Sequence, residues 1–182
     1  MIDLQKGVIA RPTAHPITDV VARSAALAAA FRRHGLPVVL VTVAGGSSGR
    51  TDEKATAARA AEGASGAAPA AFPEGWDELV PELGAQPEDV RIVKRTWGAF
   101  TGTGLDAVLA GLGVTQLVLT GVATSIGVES TARHAHELGY HVSLAVDAMT
   151  DRVAEAHENS VTRIFPRLGE TASTAEILGA LG

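Results

Sequence analysis

Short apolar, β-branched runs alternate along this chain with alanine-rich runs of helical period, and that alternation constrains the fold more than any other feature. Strand, helix and strand in succession pack as right-handed crossovers, which produce a parallel sheet with helices on both faces. The clearest strand is Pro37-Val-Val-Leu-Val-Thr-Val43, continuous and apolar as burial on both faces requires. Further strands are expected at Val90–Lys94, Gln116–Thr120 and His141–Val146, and near Leu168–Thr171. Met1–Asp3 reads as the tail of a strand whose beginning lies upstream, so residues ahead of Met1 are expected.

Thr18 and Asp19 offer caps for a helix that carries Val20, Val21, Leu27 and Phe31 and stops at Gly35. Other helices are expected at Trp76–Leu83, Leu105–Leu112, Asp151–Phe165 and Thr174–Leu181, with a strong one over Thr124–Leu138 closed by Gly139. From Ala44 to Pro73 the composition turns to Gly, Ser, Ala and Pro. This stretch is too long for an ordinary connection and reads as a loop with a weak helical turn at Arg59–Ala64.

The 182 residues suit one domain spanning 1–182, and 46% hydrophobic content is enough to build a core. A net charge of −5 supplies no broad phosphate-attracting field, which argues against a nucleic-acid binder. No apolar run approaches the ~20 residues that span a bilayer, and no charged-then-apolar leader opens the chain, so no membrane partner and a cytoplasmic location are expected. Cysteine is absent. Disulfides, thiolate-bound zinc, iron–sulfur clusters and a cysteine nucleophile are therefore excluded.

In open parallel sheets, ligands bind outside the carboxyl ends of the strands. There the expected strands deliver Asp3, Lys94, the Gly121–Gly127 turn and Asp147. Asp3 could exchange protons, its pKa set by burial and a nearby cation, or could merely cap the Gln5-Lys6-Gly7 turn. Lys94 could pair with Asp3 or orient a substrate carboxylate, or could be a solvated edge lysine. Adjacent strand ends would bring the two charges together. In Gly121-Val-Ala-Thr-Ser-Ile-Gly127, Thr124 or Ser125 can cap the next helix, aiming its first amides at an anion, although an ordinary strand–helix turn fits the pattern too.

Other patterns carry less. Gly45-Gly-Ser-Ser-Gly49 matches a serine-hydrolase elbow, but no apolar-faced helix follows Ser47. Gly102-Thr-Gly104 lies too far beyond Lys94 for a dinucleotide fingerprint, so no nicotinamide cofactor is expected. His134 and His136 point to different helix faces, a poor metal pair. His157 reads as a solvated helix residue, and Glu129, Arg133 and Glu137 as an ion-paired surface.

Three blocks carry a resemblance: Ile-Asp-Leu-Gln-Lys-Gly at 2–7, Val-Lys-Arg-Thr-Trp-Gly-Ala-Phe at 93–100, and Gly-Val-Ala-Thr-Ser-Ile-Gly-Val-Glu-Ser-Thr-Ala-Arg at 121–133. In order and spacing they resemble the isochorismatase-like hydrolase (cysteine hydrolase) superfamily, over nearly the whole chain. The resemblance implies a three-layer α/β/α, Rossmann-like fold around a six-stranded, mainly parallel sheet. In most members an Asp–Lys–Cys triad attacks an amide, with an oxyanion site at a cis peptide. By match, Asp3 is the acid/base, Lys94 its partner, and Val122–Ala123 the cis bond, with Thr124 beside it in the substrate-binding turn.

The nucleophile's position is Gly127, which has no side chain. Thioester chemistry is thereby removed. Isochorismatases proper also carry glycine there and cleave a vinyl ether by protonation from the aspartate, and an uncharacterised branch shares the Ile-Gly-Val-Glu-Ser-Thr-Ala-Arg run. Nicotinamidase members hold a metal beyond the second strand, but Ala44–Asp52 contains no histidine, so neither a catalytic metal nor another cofactor is expected. The leading expectation is a cysteine-independent hydrolase of a small anionic metabolite. Trp97 and Phe100 would wall its pocket, or would simply pack in the core. The alternatives are a non-catalytic binder of small anions and, more weakly, a serine esterase using Ser47. Members of the family commonly form dimers or tetramers, so a homodimer or homotetramer is expected.

Overall fold

The computed structural model describes residues 1–45, 51–52, 54–56 and 72–182. Ser47 of the elbow pattern, the Arg59–Ala64 turn and most of the expected 44–73 loop lie outside the described residues. Among the described residues, five parallel strands form two groups: β1 (Val39–Val43) pairs with β2 (Val90–Lys94), and β3 (Gln116–Val122) pairs with β4 (His141–Thr150), which pairs with β5 (Glu170–Ala172). Ile2 joins the groups, bridging in parallel to Val41 on one side and Gly121 on the other. The lanes thus run β2, β1, Met1–Asp3, β3, β4, β5, a three-layer α/β/α arrangement with the expected six lanes.

Helices α1 (Lys6–Ile9) and α2 (Ile17–Arg33) precede β1; α3 (Leu105–Gly111) precedes β3; α4 (Glu129–Glu137), α5 (Ala154–Asn159) and α6 (Thr174–Leu181) complete the layers. One face of the sheet packs Ile2, Val41, Ile92, Leu119, Val142 and Leu144 against side chains of α3 and α4. The other is covered by α2 and α6, through Leu27, Ala28 and Ile177. The period of two along β3 and β4 sends successive side chains to opposite layers, Leu119 and Leu144 to one and Val118 and Ala145 to the other. No helix among the described residues is long and apolar enough to cross a membrane.

Several expected elements differ. Helix α2 begins at Ile17 behind Pro16 with no side-chain cap; Thr18 and Asp19 lie inside its first turn. No helix covers Trp76–Leu83. There Leu79 bridges antiparallel to Gln5, Lys6 N donates to the Glu78 carbonyl, and Val80 N to the Leu4 carbonyl, leaving only a 3₁₀ turn at Pro81–Leu83. The Trp76 and Glu78 carbonyls and the Val80 amide, which a helix would need, are spent on the segment after Asp3.

The run from Thr124 opens as a π-helical turn, Thr124–Val128, before α4 proper, and Gly139 ends it with φ 88°. Asp151–Phe165 divides into α5, a π turn at Ser160–Ile164 and a 3₁₀ turn at Phe165–Arg167, with Asp151 ahead of the helix. Strand β4 runs on to Thr150, past the expected end at Val146, and β5 lies at Glu170–Ala172 rather than 168–171.

Candidate functional site

At the carboxyl rim of the sheet, Asp3 ends the Met1–Asp3 lane. Its amide donates to the Val41 carbonyl, and its φ of 53° is the one positive value among described non-glycine residues. That left-handed step turns the chain sharply out of the sheet, a conformation that costs about 1 kcal/mol or more and that Asp tolerates better than most residues. Gln5 secures the turn: its buried amide donates to the Val43 carbonyl at 3.1 Å and accepts from Val43 N at 2.7 Å.

Lys94 Nζ lies 2.8 Å from Asp3 Oδ2, and both side chains are buried. The ammonium also donates to the carbonyls of Trp97, at 2.7 Å, and Thr96, at 3.2 Å. All three of its protons are therefore committed inside the protein, and none is left to orient a substrate carboxylate. The two residues do not stand on adjacent lanes, because β1 separates β2 from Met1–Asp3. Two lane spacings amount to about 10 Å, a distance that a long lysine stem crosses.

Asp3 Oδ1 is buried and accepts no hydrogen bond among the described residues. Burial raises the Asp3 pKa from 3.8 to about 6, with Lys94 opposing the rise. The protonated form is therefore a minority of about a tenth at pH 7 and predominates only below about pH 6.

Gly127 faces this carboxylate. A β-carbon there would stand 3.0 Å from Ile2 Cγ2, 3.2 Å from Asp3 Oδ2 and 3.4 Å from the Val122 carbonyl oxygen. The Val122–Ala123 peptide is cis. Val122 is buried in the core, Ala123 half-buried, and Thr124 fully buried. Thr131 ties the turn to the lysine-holding loop, its hydroxyl donating to the Gly127 carbonyl at 2.7 Å and accepting from Ala99 N at 3.1 Å.

The expected capping by Thr124 or Ser125 gives way to a buried polar network. Thr124 Oγ1 meets His157 Nδ1 at 2.9 Å, and the His157 ring lies 4.5 Å from that of His15. Ser125 donates from both its amide and its hydroxyl to Asp151 Oδ2, each at 2.8 Å. His157 is therefore buried rather than solvated, and burial lowers its pKa.

Asp151, not Asp147, is the acid beyond the end of β4. Asp147 lies inside the strand, accepting from the Thr174 amide and hydroxyl and pairing with Arg23. A polar residue within a buried strand looks like its terminus; the apolar pair Ala148-Met149 beyond it was the available signal. Gln5 and His15 carry no comparable signal, because each acts through a residue distant in sequence, as does Thr131 in its bond to Ala99.

The two residues expected as a pocket wall or as core take different places. Trp97 is 56% exposed and contributes its backbone carbonyl to Lys94 instead. Phe100 belongs to the core, 5.2 Å from the His134 ring and 6.0 Å from that of Tyr140. The Arg133–Glu129 pair forms at i, i+4, and Glu129 also accepts from Ser160. Among the described residues, no cluster of three His, Asp or Glu side chains could hold a metal ion.

The family model for the isochorismatase domain matches residues 1–176. An uncharacterised isochorismatase family protein of Escherichia coli O157:H7, YecD, is 43% identical over all of this chain and 94% of its own length. The Bacillus subtilis protein YwoC, likewise described as uncharacterised, is 42% identical over 98% of this chain and 90% of its own. A solved isochorismatase family protein from Burkholderia thailandensis superposes with a TM-score of 0.86 at 41% identity, covering 99% of this chain and 92% of that one. More distantly, a ureidoacrylate amidohydrolase of Caulobacter vibrioides is 37% identical over 59% of this chain and 48% of its own length.

Proposed function

This chain belongs to the isochorismatase family, and on that premise we propose that it hydrolyses a small anionic metabolite by proton transfer from Asp3, without a covalent intermediate. The observation that carries the reading is the state of the Asp3 carboxyl group. One oxygen is held by Lys94, the other is buried with no partner among the described residues, and the residue opposite is a glycine. A buried acceptor without a partner costs about 1–3 kcal/mol, a cost relieved when that oxygen carries a proton or meets a ligand.

A vinyl ether fits this equipment. Asp3 gives its proton to the terminal vinyl carbon, forming a C–H bond and an oxocarbenium ion. Water adds to the cationic carbon, and the proton it releases returns to the carboxylate. The hemiketal then collapses to a ketone and an alcohol. Lys94 steadies the carboxylate after it has donated, and the glycine leaves room for substrate where a thiol would otherwise stand. The amide hydrolysis named for the ureidoacrylate relatives has less support here, because position 127 supplies no nucleophilic side chain.

The test is turnover of isochorismate and related enol ethers by wild type and Asp3→Asn. The substitution keeps the shape and removes the proton, so a loss of about 10²-fold or more in kcat is expected. Equal rates in the two proteins, or none in either, would remove the vinyl-ether reading. Saturable binding of such compounds by both, without turnover, would favour the non-catalytic binder instead.

A further inference from the structure

The turn that sets Gly127 opposite Asp3 is held from outside by two side chains that lie beyond β4. Asp151 Oδ2 takes the amide and hydroxyl of Ser125, and the residue before it, Thr124, meets His157 through its own hydroxyl. The backbone here is the π turn Thr124–Val128, in which the Ala123 carbonyl accepts from Val128 N at 3.1 Å. Closure at i, i+5 is rare in helices and is frequent at functional sites.

Thr124 has no exposed surface, and His157 Nδ1, at 2.9 Å, is the one hydrogen-bond partner of its hydroxyl among the described residues. A buried hydroxyl requires such a partner. His157 is itself fixed in place. It is buried on α5, and the His15 ring lies 4.5 Å from its own, tilted by 58°. His15 is anchored in turn on Thr150 Oγ1, to which its amide donates at 3.1 Å and beside which its Nδ1 lies at 3.1 Å. Burial and His15 lower the pKa of His157, against Asp151 and Glu158. A neutral imidazole has one donor and one acceptor nitrogen, so in either tautomer Nδ1 and the Thr124 hydroxyl share one hydrogen bond.

We propose that His157 is a positioning residue of the Asp3 site, fixing through Nδ1 and the Thr124 hydroxyl the π turn that presents position 127 to the carboxylate. That role rests on Asp3 exchanging protons at that position. His157 makes no hydrogen bond to Asp3 or Lys94 among the described residues, so it acts at one remove.

A thiol at position 127 reads the turn without any substrate. Alkylation by iodoacetamide is followed across neutral and alkaline pH in Gly127→Cys, alone and combined with His157→Phe, His157→Asn, Thr124→Val or the Thr124→Val/His157→Phe pair. Gly127→Cys with Asp3→Asn is the reference for a lost carboxylate. His157→Phe keeps an aromatic ring and removes Nδ1; it is expected to slow alkylation at neutral pH about fivefold or more and to move the midpoint of the pH–rate profile upward. His157→Asn sets an amide where Nδ1 stood and should stay within about twofold of Gly127→Cys alone. Thr124→Val should lose as much as His157→Phe, and the pair no more than either, because both remove one bond.

An unchanged rate in His157→Phe, with Asp3→Asn still slowing the reaction, overturns the role of His157 alone. Equal rates with and without Asp3→Asn remove the reading of Asp3 and this role with it. Equal losses in His157→Phe and His157→Asn, or losses that add in the pair, show packing rather than positioning and overturn it too. If His157→Phe does not fold, His157→Gln, whose amide reaches the Nε2 position instead, must show the same loss, or the assignment falls.

Discussion

Gly127 and Asp3 face each other across a space that a single β-carbon would enter. Gly127→Cys places a thiol against Asp3 Oδ2 and presses on Ile2 Cγ2, the end of a flexible side chain, so a stability cost of about 1–2 kcal/mol is expected. The carboxylate can take the thiol proton, and Gly127→Cys should therefore react with iodoacetamide near neutral pH. The same cysteine combined with Asp3→Asn should react at least about tenfold more slowly. Equal alkylation of the two proteins would mean that Asp3 does not act on that position. At this scale the sequence was informative wherever chemistry is local. An acid at a strand tail and a glycine in a motif turn are visible in the letters. Gln5, His157 and the bond of Thr131 to Ala99 are not, because these contacts are set by packing between segments 30 or more residues apart, as for His157 with Thr124.

Elements follow the sequence where their ends are marked by local chemistry, and depart from it where tertiary bonds compete. Strand β2 and helix α6 occupy the expected residues, Val90–Lys94 and Thr174–Leu181. The second is closed by a reciprocal cap: Ser173 Oγ accepts from Glu176 N, and the Glu176 carboxylate accepts from Ser173 N. Ser173→Ala removes that cap and should cost about 1 kcal/mol, read as a lower urea midpoint at unchanged slope. An unchanged midpoint would show that α6 is held by Ile177 and its neighbours alone. Trp76–Leu83 shows the opposite case, since its helical pattern loses to pairing with Leu4–Gly7. The run from Thr124 loses its side-chain caps to His157 and Asp151, both brought there by the far end of β4.

For the whole molecule, the buried carboxyl group makes stability depend on pH. Asp3 has a folded pKa of about 6 against an ordinary value of 3.8, so between those values the native state keeps a proton that the unfolded chain has lost. Its contribution is complete below pH 3.8 and is lost as pH rises through about 6, roughly 3 kcal/mol in all. Asp89, whose pKa is lowered through its bonds with Arg32 and Gln86 despite its burial, works in the opposite direction in acid. The pH-dependent difference in unfolding free energy between wild type and Asp3→Asn isolates the first effect. It should shift against wild type from pH 4 to 6.5 and then level off; a flat difference would mean that Asp3 titrates normally.

The periodicity of the chain was sufficient for the parallel three-layer fold and the order of its elements, because burying apolar runs of that period admits few arrangements. The strand-end rule singled out the acid and the lysine, and the family resemblance the glycine opposite them. Tertiary structure alone decided that the lysine reaches over an intervening strand, that its three protons are spent within the protein, and that one aspartate oxygen is left without a partner among the described residues. Those outcomes depend on distances between segments far apart in the chain, which the sequence of any one segment does not contain.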